Sequence, residues 1–422
     1  MCFFGIIPSM TYRHTSNGKK VSLLGYGAMR MPTVDGAHAA SWAKGYSAKA
    51  IDQALLNEQV KKMLDAGMTY FDTSPAYCRG ESEKCLGIAL QKSGYSRGDY
   101  ILATKLSNFA PHQYPLVECK KMFANSLANL KTDYIDNYLL HNIGTGGLDN
   151  FKRRYVENGA ADWCADLRAQ GKIHNLGFSF HGDSRAWDWC IENHSKYKWD
   201  FALIQLNYVD WLHAKEINEM NLNAKYLYET LTKLNIPVVV MEPLLGGRLA
   251  RYNWAIANKL TPLDPEATLA SWALRFAGSF DNVMCVLSGM TRTEHIEENI
   301  ATFSDLKKLS PKEFVALEEA AQAMLALNTI PCNKCDYCMP CPYGLDIPGL
   351  LTFRNEMLSS KKKMSPKEIF AAYKRAIPEP LRRAEHCTGC GRCNPHCPQL
   401  IDVPKEIAKI DAWIDEVKNA LV

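Results

Sequence analysis

Eight short apolar, β-rich runs alternate with segments of helical period between residues 20 and 290. The runs are Val21–Met29, Tyr70–Thr73, Ile101–Leu106, Ile135–His141, Asn175–Phe180, Phe201–Leu206, Pro237–Met241 and Val283–Leu287. Asn57–Ala66, Ser82–Lys92, Leu116–Leu130, Asp162–Gln170 and Asp264–Phe276 carry the helical signal. Strands separated by helices pair in parallel, and eight of them predict an α/β fold closed as a (β/α)8 TIM barrel in the ~250 residues such a barrel takes. An open doubly wound sheet is the alternative. Against it, no run leads into Gly-x-Gly-x-x-Gly; Gly25-Tyr26-Gly27 does not continue that pattern. Residues 30–50 and 246–264 read as long loops at the barrel mouth, where barrels shape substrate pockets.

The 422 residues exceed one barrel. A helix over 305–328, with Ser310 as N-cap and Pro311 at its first position, closes the barrel domain, 1–328. Beyond Pro331 the strand pattern stops. Residues 329–422 read as a small α-helical domain, with helices over Ile347–Ser359, Pro366–Ala376 and Pro404–Val417.

Eight of the fifteen cysteines fall in this second domain, in two runs. One is Cys332-x2-Cys335-x2-Cys338-x2-Cys341-Pro342 and the other Cys387-x2-Cys390-x2-Cys393-x3-Cys397-Pro398. Three thiolates two residues apart wrap three corners of an iron–sulfur cube, and in two-cluster ferredoxins the fourth, Cys-Pro, cysteine serves the other cube. The spacing therefore predicts two 4Fe–4S clusters, one on Cys332, Cys335, Cys338 and Cys397, the other on Cys387, Cys390, Cys393 and Cys341. The alternative is two zinc sites, which usually use separated Cys-x2-Cys pairs. Long helical spacers make the domain similar to the α-helical ferredoxins. The remaining cysteines are scattered singly. A long chain without a disulfide framework reads as a cytoplasmic protein with reduced thiols.

A net charge of +4 is too small for a nucleic-acid-coating surface, so no nucleic acid is expected. No apolar stretch reaches the ~18 residues of a membrane span, and Met1–Met10 lacks the basic start and cleavage site of a signal peptide.

Asp72, Lys105 and His141 stand at the carboxyl ends of three successive strands, with Tyr77 five residues after the first. That edge is where barrels do chemistry. An acid, a phenol, an ammonium and an imidazole gathered there can protonate a carbonyl oxygen. Each alone has a plain structural reading as a cap, a solvated cation or a packed ring; the set is what points to catalysis.

Phe71-Asp72-Thr73-x3-Tyr77, Thr104-Lys105 and Leu140-His141 resemble the aldo-keto reductase family in order and spacing, as do Gly177-Phe178-Ser179, Gln205-Leu206-Asn207-Tyr208 and Glu298-Asn299. The likeness covers about residues 10–305, and the cysteine-rich tail resembles a prokaryotic branch of the family. It implies hydride transfer between NADP or NAD and a small carbonyl or alcohol. Tyr77 would be the general acid, its ordinary pKa near ~10 lowered by Lys105. Asp72 would hold Lys105, and His141 would orient the substrate oxygen. Ser179 and Gln205 would bind the nicotinamide amide. Met241 stands where an aromatic ring often stacks, and Phe180 where Asn often follows the serine. Ser288 and Gly289 would donate to phosphate at a helix start. Arg292 is the one obvious cation for a 2′-phosphate, which leaves NADP and NAD both open. Glu298 and Asn299 complete the expected cofactor contacts.

Hydride moves two electrons and each cluster moves one. The favoured resolution is a ferredoxin or flavoprotein partner; structural clusters or a further cofactor are the others. The reading of a different class is a non-catalytic barrel acting as a binding or electron-transfer subunit.

Overall fold

The computed structural model describes residues 9–34, 51–397 and 399–421. Among the described residues there are ten strands: β1 Tyr12–His14, β2 Lys20–Ser22, β3 Leu24–Gly27, β4 Tyr70–Asp72, β5 Ile101–Leu106, β6 Ile135–Ile143, β7 Ile173–Phe180, β8 Phe201–Gln205, β9 Val238–Met241 and β10 Val283–Ser288. Strands β3 to β10 pair in parallel in chain order, and β10 returns to β3 to close the barrel. Its strands match the eight apolar runs to within three residues at their ends.

β1 and β2 form an antiparallel hairpin that the alternation did not announce. Val21 packs with Tyr70, Ile101, Leu139, Phe201 and Cys285 in one fully buried cluster, so the hairpin closes the barrel's amino-terminal end. Small residues let this interior fill. A Cβ on Gly177 would come within 2.6 Å of the Phe201 carbonyl and 2.8 Å of its ring. One on Gly25 would come within 2.6 Å of the Cys285 sulfur.

Residues 246–264 are not a bare loop: they contain a helix at Trp254–Leu260, N-capped by Asn253. Conversely the helix expected from Asp264 starts only at Leu269, because Thr268 caps it by accepting from Ser271 N. Of the loop expected at 30–50, residues 35–50 lie outside the described residues. The last barrel helix spans Pro311–Leu325, and Ser310 and Glu313 form a reciprocal capping box at its start.

The second domain holds helices Ile347–Leu358, Pro366–Ala376 and Val403–Asn419, with no strand among the described residues. Its own core gathers Leu350, Phe353, Tyr373, Ile407, Ile410 and Ile414, with six of the grouped cysteines packed against its edge. No helix of the described residues is long and apolar enough to cross a membrane.

Candidate active site and cysteine cavity

The barrel's period of two carries apolar interior residues into polar ones at the mouth. On β5, Ile101 and Ala103 face the interior and Lys105 follows on the same face; on β4, Tyr70 is followed by Asp72; on β6, Leu139 by His141. On β8, Phe201 and Leu203 lead to Gln205, and on β9 Val239 leads to Met241, which packs on the interior cluster. Strand register thus converts sequence-distant residues into neighbours: Asp72 lies opposite Ala103, and Lys105 opposite Leu139.

Lys105 is fully buried, and its Nζ donates to Asp72 Oδ1 at 2.5 Å and to the Thr73 carbonyl at 2.8 Å. The same ammonium sits 4.7 Å from the centre of the Tyr77 ring. The Tyr77 and His141 rings meet edge to face, centres 5.9 Å apart. All four residues therefore converge. Burial raises the Asp72 carboxyl and lowers the Lys105 amine, while their contact opposes both shifts. Asp72 Oδ2 is buried with no hydrogen-bond partner among the described residues.

The expected lowering of Tyr77 is not what the pocket produces. Burial, with the charges of Asp72, Glu242 and Cys78, holds the phenol well above its ordinary value. The ammonium that was to lower it is committed to Asp72 and Thr73. The phenol is consequently a proton-bearing group at neutral pH. His141 is driven well below its usual value, first by burial and then by Lys105 and Arg154, so it is neutral. Its Nδ1 lies 2.6 Å from Ser107 Oγ, which in turn is 2.9 Å from Ser74 Oγ. With Ser107 donating to Nδ1, the ring proton resides on Nε2.

Sequence reasoning passed over the group that fixes His141. A single π-helical turn at Lys152–Val156 turns both Arg154 and Tyr155 inward. Arg154 donates to the carbonyls of Asn108 (3.1 Å), Asn142 (3.2 Å) and His141 (2.8 Å) and to Tyr155 Oη (2.7 Å). Tyr155 Oη accepts from His141 N at 3.0 Å. No spacing signal marks such a turn; the cue was only an Arg-Tyr pair in an otherwise unremarkable helix.

The expected cofactor contacts divide into two groups. Ser179 and Gln205 stand at neighbouring strand ends, but Ser179 Oγ accepts from Asn142 N at 2.7 Å, steadying a bulge in β6 where Asn142 is left-handed (φ 58°). Gln205 bonds His181, and both line a small pocket with Phe180, Asp210 and Asn221. After β10, Asn299 Nδ2 donates to the buried Ser288 Oγ at 3.0 Å. Gly289 is exposed, and Arg292 is exposed at the N-cap of helix Thr293–Phe303. Glu298 accepts from Thr268 Oγ1, across to the neighbouring helix. Cys78 is buried, its sulfur 3.5 Å from the Met29 carbonyl.

In the second domain, Cys332, Cys335, Cys338 and Cys397 line one cavity, with Leu351, Ile401 and Val403 as apolar walls. Cys393 lies within the electrostatic reach of Cys390, Cys387 and Cys341. Among the described residues, no three Cys, His, Asp or Glu side chains converge closely enough to hold a single metal ion. Four sulfurs spaced around an apolar cavity fit a cube better than one ion.

A parallel eight-stranded barrel with an acid–phenol–ammonium–imidazole set at its carboxyl edge defines a barrel oxidoreductase. Residues 24–322 match the Aldo/keto reductase family and residues 331–402 the 4Fe-4S dicluster domain; the chain belongs to the aldo/keto reductase family and carries a C-terminal ferredoxin-type domain. It is 25% identical over 311 residues to L-galactose dehydrogenase of Arabidopsis thaliana, covering 70% of this chain and 88% of that protein. It is 24% identical over 271 residues to the uncharacterized oxidoreductase YqkF of Bacillus subtilis, covering 60% and 84%. In fold it is similar to aldo-keto reductase AKR11C1 from Bacillus halodurans (TM-score 0.56, 22% identity, 74% of this chain and 97% of that one). It is also similar to an aldo/keto reductase from Klebsiella pneumoniae in complex with NADP and acetate (TM-score 0.54, 20% identity, 74% and 94%).

Proposed function

We propose that residues 1–328 form an NAD(P)-dependent carbonyl reductase or alcohol dehydrogenase and that residues 329–422 hold two 4Fe–4S clusters serving a ferredoxin or flavoprotein partner. The observation that carries the first part is the buried Lys105–Asp72 contact beneath the Tyr77 ring.

A bound nicotinamide supplies or accepts the hydride. This chain's residues do the rest. Met241, at the end of β9, offers an apolar face for a planar ring, and Ser179 and Gln205 offer polar atoms for its amide. Neutral His141 donates from Nε2 to the substrate oxygen and sets its approach. Tyr77, kept protonated by burial, gives its phenolic proton to that oxygen as negative charge develops there. The phenolate so formed lies beside the Lys105 ammonium, which stabilises it at that moment rather than beforehand. Asp72 keeps the ammonium charged and in place. Ser288, Gly289, Arg292, Glu298 and Asn299 are assigned to the cofactor's phosphate and adenosine end, with NADP and NAD both admissible.

The cluster thiolates are assigned as two crossed sets, Cys332, Cys335, Cys338 with Cys397, and Cys387, Cys390, Cys393 with Cys341. Their cavity and charge proximity support this reading.

The test is nicotinamide oxidation with a panel of small aldehydes by the anaerobically purified full chain and its Tyr77→Phe variant. Turnover by the native protein and a loss of 100-fold or more in the variant is expected, on the scale of general-acid catalysis (~10²–10⁴-fold). Equal turnover removes Tyr77 from the role, and none by either favours the non-catalytic barrel.

A further inference from the structure

The first cysteine loop is built into the barrel mouth rather than merely tethered to it. Arg30, three residues past β3, donates from Nη2 to the carbonyls of Asn333 (2.9 Å) and Lys334 (3.3 Å), the two residues between Cys332 and Cys335. Asn333 also reaches the Glu242 carboxylate at 3.5 Å, one residue past Met241. Its side chain packs so closely on Gly246 that a Cβ there would lie 2.4 Å from the Asn333 Cβ. Gly246 sits at φ 65°, which already favours glycine. Arg248, from the same loop, donates to Thr329 Oγ1 at 2.9 Å, and its Nη1 is buried without a hydrogen-bond partner among the described residues. Charged groups that act on these two arginines include Asp210, Asp336 and Glu242, with Lys334 beside Asp336. The second group is placed differently: Cys390 is exposed, as are its neighbours Thr388 and Gly389.

We propose that the cluster on Cys332, Cys335, Cys338 and Cys397 is an inner cluster seated on the barrel mouth, and that the Arg30 guanidinium both anchors its loop and raises its reduction potential. The cluster on Cys387, Cys390, Cys393 and Cys341 is the outer one. This rests on the two-cluster reading above. One electron added to a cluster adds one negative charge, and a fixed cation bonded to its loop and acting on Cys335 stabilises that reduced form whatever the remaining charges sum to. Arg30 follows β3, the neighbour of β4, which ends at Asp72. The loop of the inner cluster is thus fixed to a segment that leaves the barrel edge where the proposed hydride chemistry occurs.

The experiment is an EPR-monitored potentiometric titration of the full chain, anaerobically purified, as native protein, Arg30→Gln and Arg30→Lys. Iron and sulfide are counted first: about eight of each, with two titrating 4Fe–4S signals, is the premise, and its absence defeats the two-cluster reading itself. Given two signals, Arg30→Gln is expected to shift one of them tenfold or more in its reduced-to-oxidised ratio at fixed poise, ~59 mV downward for one electron, and to leave the other in place. Arg30→Lys, which keeps the charge but not the forked contact, is expected to shift that signal by less than half as much. If Arg30→Gln fails to retain iron, Arg248→Gln is measured in its place with the same expectation of direction. Two intact signals that both stay fixed, or that move together, overturn the proposal.

Discussion

Replacing Lys105 by Met is expected to destabilise the barrel in a manner set by pH. The two side chains are 0% and 4% exposed and touch at 2.5 Å. Removing the ammonium leaves a buried carboxylate with Oδ2 already without a partner. Breaking such a pair typically costs ~3–5 kcal/mol. The carboxyl has one escape, which is to bind a proton. Its ordinary pKa is 3.8, so protonation at pH 7 costs about 4 kcal/mol at 1.36 kcal/mol per pH unit, and at pH 5 about 1.6 kcal/mol. The loss is therefore capped near 4 kcal/mol at pH 7 and shrinks by about 2–3 kcal/mol at pH 5. The sign follows because the variant's folded state binds a proton that its unfolded state releases, so stability falls as pH rises above 3.8. Adding Asp72→Asn removes the stranded charge and is expected to recover most of the loss at pH 7. The assay is equilibrium urea unfolding followed by tryptophan fluorescence, for both single variants and the double variant at pH 5 and 7. A pH-independent loss, or no recovery in the double variant, refutes the reasoning that the cost is an unpaired carboxylate.

Arg154→Met removes the guanidinium from the carbonyls of Asn108, Asn142 and His141 and leaves the His141 carbonyl to Tyr155; a fall in kcat of about 10-fold or more with Arg154→Lys failing to rescue is expected in steady-state kinetics, because an ammonium cannot reproduce the forked contacts. His181 is pushed down to about 4 by burial, against an ordinary 6.5 and the opposing bond to Gln205. Its contribution is intact above pH 6.5 and is lost as pH falls towards 4, by at most about 3 kcal/mol; His181→Asn should flatten the acid limb of the stability curve, measured by urea unfolding between pH 4.5 and 7.5, and an unchanged limb counts against the shift.

Much of the fold was legible because the barrel repeats one signal eight times, so an error at any strand end is outvoted. The hairpin Tyr12–His14 and Lys20–Ser22 was invisible because its three-residue strands carry no measurable period and lie outside the strand–helix alternation that marks β4, which is equally short. Asp72, Lys105 and His141 were findable because period-two strands place chemistry at predictable ends. The upward shift of the Tyr77 phenol was not, since it depends on desolvation and then on charges such as Glu242, a residue 165 positions away whose approach only the closed barrel creates. The π-turn that carries Arg154 inward likewise has no sequence period. The cysteine runs showed their ligand count from spacing, whereas the Arg30 and Asn333 contact across 303 residues emerges only from how the second domain docks.

The central claim is that hydride passes directly between a nicotinamide and a carbonyl carbon above Tyr77. Incubating the anaerobic full chain with 4-deuterated nicotinamide, each face labelled in turn, and an accepted aldehyde, and weighing the alcohol by mass spectrometry, tests it most directly. The account predicts one deuterium on the carbinol carbon from one face only, with Tyr77→Phe forming little product. Alcohol formed at full rate with only solvent hydrogen on that carbon would contradict it.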